Sequence, residues 1–368
     1  MRTPLLFYSQ VAWDTVWQRP QEQALGLAKY RPVIFLSPVQ LHEAATRLKD
    51  RWQFHRTLAG GRLQVVSPLI FSGEYRSEPV RRANRALLRR LLGRVGAGGR
   101  FHFMTNSPFS GWMLPMLGPR SIIYDLIDDF CAFNWAPPEG RQLEDRIVRG
   151  ADLAFAGTGY LRDRYENRLP GIEFLPSGVH FGKLTAPQPE PADLAALPRP
   201  RVLYVGTLND RMNGDLFAAM GSAFPGGSVA VVGPRHETFR APALPPNVHF
   251  LGLKPHEQLP GYYQHSDLGI MPFADSPAAR AINPIKTLEY LACGLPVLST
   301  AIPDVIRYYQ GVVTVAEPDA WVGAAQRMIA EDSDGDREAR RDFARGRTWE
   351  ALVEAMERRI RRMEAGAA

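Results

Sequence analysis

The sequence has 368 residues, of which 45% are hydrophobic and 22% charged, and its formal net charge is +6 with a pI near 9.4. This length and balance predict a globular enzyme of about two domains, and they exclude a disordered or fibrous chain. The excess of basic residues favours acidic partners such as nucleotides, nucleic acid or anionic lipid.

Signals for targeting, disulfides and metals are sparse. The apolar run at residues 5–8 is too short for a signal peptide, and no run of about 20 apolar residues could span a bilayer. Two cysteines, Cys131 and Cys293, cannot form a disulfide framework, which favours a reducing, cytoplasmic setting. No Cys/His spacing resembles a zinc site. We therefore expect no essential metal and no cofactor.

Short apolar runs alternate with longer amphipathic stretches, the pattern of βα units around parallel sheets. The first series of strand-like runs comprises 5–9, 33–37, 63–67, 101–105, 122–127, 153–157 and 172–176. The second series comprises 201–206, 228–233, 248–251, 268–272, 296–299 and 312–315. The predicted fold class is α/β, with one Rossmann-like, doubly wound domain for each series.

The first βα turn, residues 9–20, brings Trp13, Asp14 and Arg19 towards the carboxyl edge of the first sheet, where ligands bind in such folds. Aromatic and charged side chains together suit a ring-shaped polar ligand, so these three residues are candidates for ligand binding. The tryptophan could equally pack in the core.

The segment from Arg81 to Arg94 is a basic helix with leucines on one side. Such a helix can make peripheral contact with an anionic membrane. The more frequent outcome is an amphipathic helix packed on its own sheet with a solvated arginine face. We expect no nucleic-acid partner, because no recognised nucleic-acid motif accompanies the helix.

Asp128 and Asp129 follow the strand-like run 122–127 at its carboxyl end. One of them could act as a general base towards a substrate hydroxyl, and repulsion between adjacent carboxylates raises the pKa of one of them. The alternative is that either residue only caps the next segment.

Prolines divide the chain between the two series. Residues 183–200 are proline-rich, which disfavours helix and strand and predicts a semi-rigid linker. The predicted domains are therefore residues 1–182 and 201–345. Residues 346–368 are predicted to form a final helix that packs back towards the first domain.

Two loops of the second domain offer polar groups after predicted strands. In the first, Gly206 permits close backbone approach, and Arg211 is placed to hold phosphate oxygens with its two-pronged guanidinium. In the second, Lys254 follows the run 248–251. Solvent-facing basic loop residues are also common, so neither cation is decisive by itself.

A short helix is predicted from Asn283 to Cys293, with Asn283 as its N-cap, Pro284 at its first position and Gly294 after its end. Lys286 lies in the first turn, where a cation is unfavourable unless an anion such as a diphosphate lies beside it. Glu289 is one turn later and could accept hydrogen bonds from two ribose hydroxyls. An exposed i,i+3 ion pair that serves only the fold is an equally good interpretation.

These motifs together resemble the donor domain of GT-B glycosyltransferases of the glycosyl transferases group 1 superfamily, over most of residues 200–345. The matching positions are Gly206, Arg211, Glu289, the segment 292–297 (Ala-Cys-Gly-Leu-Pro-Val) and the segment 247–263. The resemblance implies a nucleotide-sugar donor bound by Gly206, Arg211, Lys254, Asn283, Lys286 and Glu289. It also implies an acceptor bound by the first domain, with Trp13, Asp14 and Arg19 as the candidates for acceptor binding and Asp128 or Asp129 as the base for the acceptor hydroxyl.

One position departs from the family pattern. Retaining members have two glutamates separated by seven residues, and Ala281 replaces the first of them. The form Asn-Pro-x-Lys-x-x-Glu-Tyr resembles a subgroup of polysaccharide-assembly enzymes, in which Lys286 would neutralise the leaving diphosphate.

The expected function is transfer of a sugar from a nucleotide diphosphate sugar, a UDP-sugar, to a glycan or lipid-linked acceptor in surface polysaccharide biosynthesis. Asp128, Asp129 and Lys286 are the candidate catalytic residues. Two alternatives stay open: a nucleotide-sugar epimerase on the same fold, and a catalytically silent nucleotide-sugar-binding protein.

Overall fold

A computed structural model describes residues 2–14, 17–41, 55–94, 100–133 and 135–366. The chain divides into two compact units. Unit 1 comprises Met1–Pro176 together with Leu352–Ala368, and unit 2 comprises Ser177–Ala351.

Unit 1 is built on an eight-stranded sheet in the order β10-β9-β8-β7-β1-β2-β5-β4. Its strands are β1 (Leu5–Tyr8), β2 (Val33–Leu36), β3 (Val39–Gln40), β4 (His55–Leu58), β5 (Leu63–Val66), β6 (Leu69–Ile70), β7 (His102–Thr105), β8 (Ser121–Leu126), β9 (Ala151–Ala156) and β10 (Glu173–Phe174). All pairs in the large sheet are parallel except that of β4 with β5, and β3 pairs separately with β6. The seven predicted strands are confirmed within two residues, whereas β3, β4 and β6 were not predicted.

The helices of unit 1 connect successive parallel strands. They are α1 (Arg19–Leu27), α2 (Glu78–Arg94), α3 (Leu114–Leu117), α4 (Gly140–Gly150) and α5 (Gly159–Tyr165), with short 3-10 turns at Ala59–Gly61, Pro108–Trp112 and Phe130–Ala132. Leu88 and Leu92 of the basic helix α2 are buried in a core that also contains Phe103 and Trp112. This packing is the structural outcome that the sequence favoured for the helix, but Leu87 remains exposed.

Unit 2 is built on a six-stranded parallel sheet in the order β13-β12-β11-β14-β15-β16. Its strands are β11 (Arg201–Val205), β12 (Ser228–Val232), β13 (Val248–Gly252), β14 (Leu268–Met271), β15 (Val297–Ser299) and β16 (Thr314–Val315). All six were predicted within two residues. β11, β12 and β14 are buried along their whole length, as is expected for parallel strands covered by helices on both faces.

Ten helices follow one another from residue 181 onwards. They are α6 (Phe181–Thr185), α7 (Ala192–Ala195), α8 (Gly214–Ala223), α9 (Leu259–Gln264), α10 (Pro277–Arg280), α11 (Ile285–Ala292), α12 (Pro303–Tyr308), α13 (Trp321–Glu331), α14 (Asp334–Arg345) and α15 (Trp349–Gly366), with 3-10 turns at His256–Gln258 and Pro318–Ala320. No helix in the described part of the chain is both long enough and apolar enough to cross a membrane.

The structure divides the chain at Pro176, not at residue 182, and the proline-rich segment 183–200 packs onto unit 2. Leu194 is fully buried there, and Asp193 accepts a hydrogen bond from the Tyr262 hydroxyl at 2.7 Å. The segment contains the end of α6 and, between its prolines, the short helix α7. Its leucines cover apolar surface of unit 2, which is why it does not behave as the separate linker that proline content predicted.

From Leu352 onwards, α15 belongs to unit 1. Arg31 is fully buried and forms ion pairs with Glu357 and Glu364 of α15, each at 2.9 Å. His102 on β7 lies 2.8 Å from Glu364 through Nε2. These contacts fix α15 on unit 1, because a buried charge is stable only when it is paired.

Candidate functional site

In unit 2 the strand order reverses beside β11. From β11 the chain moves outwards through β12 to β13, and it then returns to place β14 on the other side of β11. The loops at the carboxyl ends of two such strands diverge and leave a crevice, which is where open α/β sheets bind their ligands. The loops after β11 and β14 are therefore the first place to look for a site.

Arg211 lies in the loop after β11, directly at this reversal. Its backbone is fixed, because its amide donates to Asn209 Oδ1 at 3.0 Å and its carbonyl accepts from the Ala274 amide, after β14, at 2.8 Å. Its half-buried guanidinium has no hydrogen-bond or ion-pair partner among the described residues. A well-anchored arginine with free donors can bind phosphate oxygens.

The loops after β11 and β12 approach each other closely at two glycines. The Gly206 amide donates to the Val232 carbonyl at 2.9 Å. Gly233 has φ +137°, and a Cβ on it would lie 2.0 Å from the Gly206 carbonyl oxygen. Only glycine fits at position 233, a requirement that the sequence analysis did not identify.

Helix α11 begins at Ile285, two residues later than predicted, and its N-cap is Pro284. The Asn283 side chain does not cap it. Its amide nitrogen donates to Asp304 Oδ2 at 3.1 Å, and its carbonyl oxygen accepts from the Tyr309 hydroxyl at 3.0 Å. The structure therefore gives Asn283 contacts that join the segment before α11 to both ends of α12, Asp304 in its first turn and Tyr309 after its last residue.

Lys286 and Glu289 are brought together on α11. Lys286 Nζ lies 2.7 Å from Glu289 Oε2, which also accepts a hydrogen bond from the Tyr263 hydroxyl at 2.6 Å. His256 Nε2 lies 3.8 Å from the other carboxylate oxygen. The anion beside Lys286 is thus a glutamate of its own helix. The sequence allowed an exposed i,i+3 ion pair that serves only the fold. The observed pair is not exposed, however, because Glu289 is only 5% exposed.

The electrostatics of this cluster hold Glu289 ionised. Burial by itself raises the pKa of a carboxyl group, but the Lys286 charge and hydrogen bonds from His256, Lys286 and Tyr263 outweigh it and lower the pKa of Glu289 to about 2. Oε2 is occupied by two donors, whereas Oε1 has only the longer contact with His256. This oxygen can accept a hydrogen bond from a ligand hydroxyl.

Tyr290 joins the cluster to the strand end. Its hydroxyl, buried in the core, accepts a hydrogen bond from the Val205 amide at 2.8 Å, at the last residue of β11. Helix α11 is thereby held against β11, and its amino terminus begins at the same sheet edge as the loop that contains Arg211. Tyr290 ends the Asn-Pro-x-Lys-x-x-Glu-Tyr motif, and Tyr263 and His256 lie in the segment 247–263, but the sequence assigned no contact to any of the three.

Lys254 has a different role from the predicted one. Its amine lies 2.6 Å from Asp193 Oδ2, and this contact helps to hold the proline-rich segment on unit 2. Burial opposes ionisation of Asp193, yet hydrogen bonds from Lys254 and Tyr262 lower its pKa.

In unit 1, Asp128 and Asp129 follow β8 as predicted, but they do not face each other as two unpaired carboxylates. Asp129 forms ion pairs with Arg141 at 2.9 Å and Arg164 at 2.7 Å. Asp128 Oδ1 accepts a hydrogen bond from the Asp129 amide at 2.9 Å. The two arginines compensate the charge of Asp129, so the predicted repulsion does not dominate there.

The three candidates for acceptor binding all have structural contacts. Arg19 is buried, and its guanidinium forms a two-pronged pair with Asp125 at 2.7 and 3.0 Å. Trp13 is buried and packs edge-on against Phe35, with ring centroids 5.0 Å apart. Asp14 forms an ion pair with Arg56 at 2.5 Å. The core-packing alternative for Trp13 is thus what the structure shows.

No group of three or more His, Cys, Asp or Glu side chains in the described ranges is arranged to hold a metal ion.

Comparison with known proteins decides the family of unit 2. The sequence model of the family Glycosyl transferases group 1 matches residues 199–331. The chain contains a glycosyl transferases group 1 domain. The matched residues include Gly206, Arg211, Lys254, Asn283, Lys286 and Glu289, whereas all the candidates of unit 1 lie outside the match.

A curated relative supports the group 1 assignment. The chain is 25% identical over 260 residues to the putative teichuronic acid biosynthesis glycosyltransferase TuaH of Bacillus subtilis (strain 168). This similarity spans 63% of the chain and 64% of the length of the relative.

Solved structures show the fold over the whole chain. Sucrose-phosphate synthase from Thermosynechococcus elongatus matches with a TM-score of 0.74 at 17% identity and covers 99% of this chain and 100% of its own. Alr3699/HepE of Anabaena, solved in complex with UDP and glucose, matches with a TM-score of 0.67 at 12% identity, over 98% of this chain and 99% of its own. The group 1 domain is thus part of a GT-B fold.

Proposed function

We propose that this protein is a glycosyltransferase that moves a sugar from a UDP-sugar to a glycan or lipid-linked acceptor in surface polysaccharide biosynthesis. The proposal rests on two features at the carboxyl edge of the unit 2 sheet. One is Arg211, which is anchored and has no hydrogen-bond or ion-pair partner among the residues that the structure describes, and the other is the buried Glu289, held ionised beside Lys286. The teichuronic acid relative and the UDP-bound structural neighbour support the class of acceptor and donor.

The donor would be bound by both features. The Arg211 guanidinium binds diphosphate oxygens. Gly206 and Gly233 have no side chains that could keep these oxygens away from the neighbouring backbone. Glu289 Oε1 accepts a hydrogen bond from a ribose hydroxyl. Lys286, with one N–H beyond its bonds to Glu289 and Tyr263, adds a second positive charge.

In the reaction, the bond between the anomeric carbon and the diphosphate oxygen breaks, and a bond from the anomeric carbon to the acceptor oxygen forms. Negative charge grows on the departing diphosphate. Arg211 and Lys286 stabilise that charge, and fixed charges of this kind contribute most to catalysis because they need no rearrangement during the reaction. Metal independence is part of the proposal.

For the acceptor, the loop after β8 offers the best group in unit 1. Asp128 and Asp129, at the carboxyl end of β8, are the candidates to accept the proton of the acceptor hydroxyl. Phe133 and Trp135 of the same loop stack in parallel with ring centroids 5.5 Å apart, and Trp135 is 56% exposed. An exposed, flat aromatic surface suits the apolar face of a sugar ring.

The proposed location is the cytoplasmic face of a membrane, with peripheral contact through α2. Its support is the basic character of that helix and the absence of a disulfide between Cys131 and Cys293, both of which are free.

Thermal unfolding with a panel of nucleotides and nucleotide sugars tests the donor site, because a ligand that binds only the folded state must raise Tm. We expect UDP and one UDP-sugar to raise Tm of the wild type. Arg211→Ala should leave Tm of the free protein unchanged, since its guanidinium has no partner to lose, but should weaken UDP binding by tenfold or more, in line with loss of a charge-assisted hydrogen bond of about 1.5–3 kcal/mol.

Arg327→Ala is the matched control, since that arginine is exposed on α13. The donor assignment is wrong if no nucleotide raises Tm, or if Arg211→Ala binds UDP as the wild type does. Release of UDP that requires an acceptor extract identifies a transferase. Conversion of the donor without any acceptor would instead identify an epimerase.

A further inference from the structure

Unit 1 has a groove between β6 and α2 that the proposed donor and acceptor sites do not use. Its volume is about 450 Å³, which lies within the range of roughly 300–1,000 Å³ typical of pockets for small organic ligands. Pro68, Ile70 and Phe71 line one wall. Leu87, Arg90 and Arg94 of α2 line the other.

The walls of the groove are apolar and open to solvent. Phe71 and Leu41 are each 51% exposed, and Leu87 is 42% exposed. A second groove adjoins the first, since it shares Leu41 and Phe71 and continues along α2 to Val80. Large apolar side chains exposed together on one surface mark an interaction site more often than isolated ones do.

The helix wall of the groove is one face of α2. Val80, Ala83, Leu87, Arg90 and Arg94 are spaced three or four residues apart, so they form one stripe along the helix. This stripe lies beside the core-facing stripe that contains Leu88 and Leu92. Helix α2 therefore has a second stripe, apolar at Val80, Ala83 and Leu87 and basic at Arg90 and Arg94, beside the stripe that its own unit buries.

The charges of α2 are spread along the helix, but among the described residues acidic partners are present only near its first turn. The helix contains six arginines and one glutamate. Arg81, Arg82 and Arg85 lie within 4 Å of that glutamate, Glu78, near the first turn.

Arg89, Arg90 and Arg94, in the last two turns, have no ion-pair or hydrogen-bond partner in the part of the chain that the structure describes. They are exposed, and two of them border the groove. Three uncompensated guanidiniums beside an apolar groove fit a ligand that has both a phosphate and a long apolar chain.

We propose that this surface docks on an anionic phospholipid bilayer, with Arg89, Arg90 and Arg94 at lipid phosphates and a lipid chain, together with Phe71 and Leu87, forming the apolar contact. The proposal deepens the proposed function, because it names the residues of the membrane contact and rests on that function for the lipid-linked acceptor. A charged polymer such as nucleic acid would satisfy the arginines but would leave the apolar walls in water.

Co-sedimentation with vesicles tests the charges. The full chain should bind vesicles of equal parts phosphatidylglycerol and phosphatidylcholine, and this binding should weaken as salt is added. It should bind vesicles of pure phosphatidylcholine poorly. The triple variant Arg89→Gln, Arg90→Gln, Arg94→Gln should lose affinity on the order of a hundredfold, because each basic residue near an anionic surface contributes roughly fivefold.

A matched triple variant, Arg62→Gln, Arg327→Gln, Arg362→Gln, removes the same charge at exposed positions elsewhere. It should bind the anionic vesicles nearly as the wild type does. Equal losses in the two triple variants would show a general attraction due to net charge, and would overturn the proposal, as would failure of the wild type to bind anionic vesicles.

Substitution of the apolar residues that line the groove tests the proposed contact with a lipid chain. Phe71→Ser and Leu87→Ser keep every charge, and they should each weaken binding to anionic vesicles severalfold. Binding unchanged in both variants would refute the lipid-chain contact. The rise in Tm with UDP, measured on the same samples, should be intact throughout, so a failure of the membrane proposal is distinguishable from a failure of the donor site.

Discussion

Replacement of Lys286 by alanine tests the electrostatics of α11, provided that its effect on folding is separated from its effect on function. Glu289 is buried, and its pKa falls from the ordinary value of 4.5 to about 2. A fall of that size corresponds to about 3 kcal/mol of preference for the ionised form in the folded protein. Lys286 is the largest stabilising contributor, and we expect Lys286→Ala to reduce the free energy of unfolding at pH 7 by about 2 kcal/mol.

A double-mutant cycle with Glu289→Gln shows whether that loss comes from the stranded carboxylate. The glutamine can still accept the hydrogen bond from Tyr263 but has no charge to compensate. In that background Lys286→Ala should cost less than about 0.5 kcal/mol, which makes the coupling energy about 2 kcal/mol. Urea denaturation measures all four proteins, and Lys183→Ala is the control for loss of an exposed lysine in the same unit.

The pH dependence has a definite sign. Because the pKa of Glu289 is lowered in the folded state, its stabilising contribution is complete above pH 4.5 and is lost as the pH falls towards 2. The difference in stability between the wild type and Lys286→Ala should therefore narrow over that interval. Independent, additive effects of the two substitutions at pH 7, or a difference that stays constant down to pH 2.5, would refute the reasoning.

The double variant also isolates function: if Lys286 neutralises the leaving diphosphate, Lys286→Ala should still lower turnover in the Glu289→Gln background, where stability is unaffected. Gly233→Ala should destabilise unit 2 by roughly 1–3 kcal/mol or more and abolish the rise in Tm with UDP, because the added Cβ would lie 2.0 Å from the Gly206 carbonyl oxygen. Gly226→Ala is the control, since a Cβ at that position meets nothing within 4 Å. Equal Tm values for the two variants would contradict the prediction. Burial opposes ionisation of Glu364, yet hydrogen bonds from Arg31 and His102 lower its pKa to about 2. The free energy of unfolding should therefore fall as the pH drops from 4.5 towards 2. In unfolding curves measured over this pH range, Glu364→Gln should show a smaller fall than the wild type. Sugar transfer should be unaffected by EDTA; loss of activity that Mg²⁺ or Mn²⁺ restores would show that the proposed metal independence is wrong.

The strands were predictable because their hydrophobic runs are local signals. All thirteen predicted runs became strands, whereas β3 and β6, which have two residues each and pair only with each other, were not predicted. The edge strand β4 alternates around polar residues, and it pairs antiparallel with β5 through a turn at Ala59–Gly61. The proline-rich segment was misjudged since composition shows that a segment avoids regular structure, not what it packs against.

At the candidate site, spacing along one helix predicted that Lys286 and Glu289 could meet, and the structure confirms their contact. Spacing could not show that Tyr263, 26 residues away from Glu289, completes the cluster. Likewise, Arg19 was predicted to bind the acceptor, but its guanidinium is paired with Asp125, which lies 106 residues later in the chain. Long-range partners decide whether a polar side chain is free to act, and a single sequence does not encode them visibly.

The pairing of Arg31 with Glu357 has a consequence for the order in which the protein matures on the ribosome. The two partners are 326 residues apart. Arg31, which follows α1, is therefore synthesised long before α15, the helix that neutralises its guanidinium. Unit 2, a single uninterrupted stretch, can complete its sheet earlier, although it comes later in the chain. Until α15 has emerged, Arg31 lacks its carboxylate partners and the surface that Val353, Met356 and Ile360 cover is open, so we expect the nascent protein to need a chaperone at this stage.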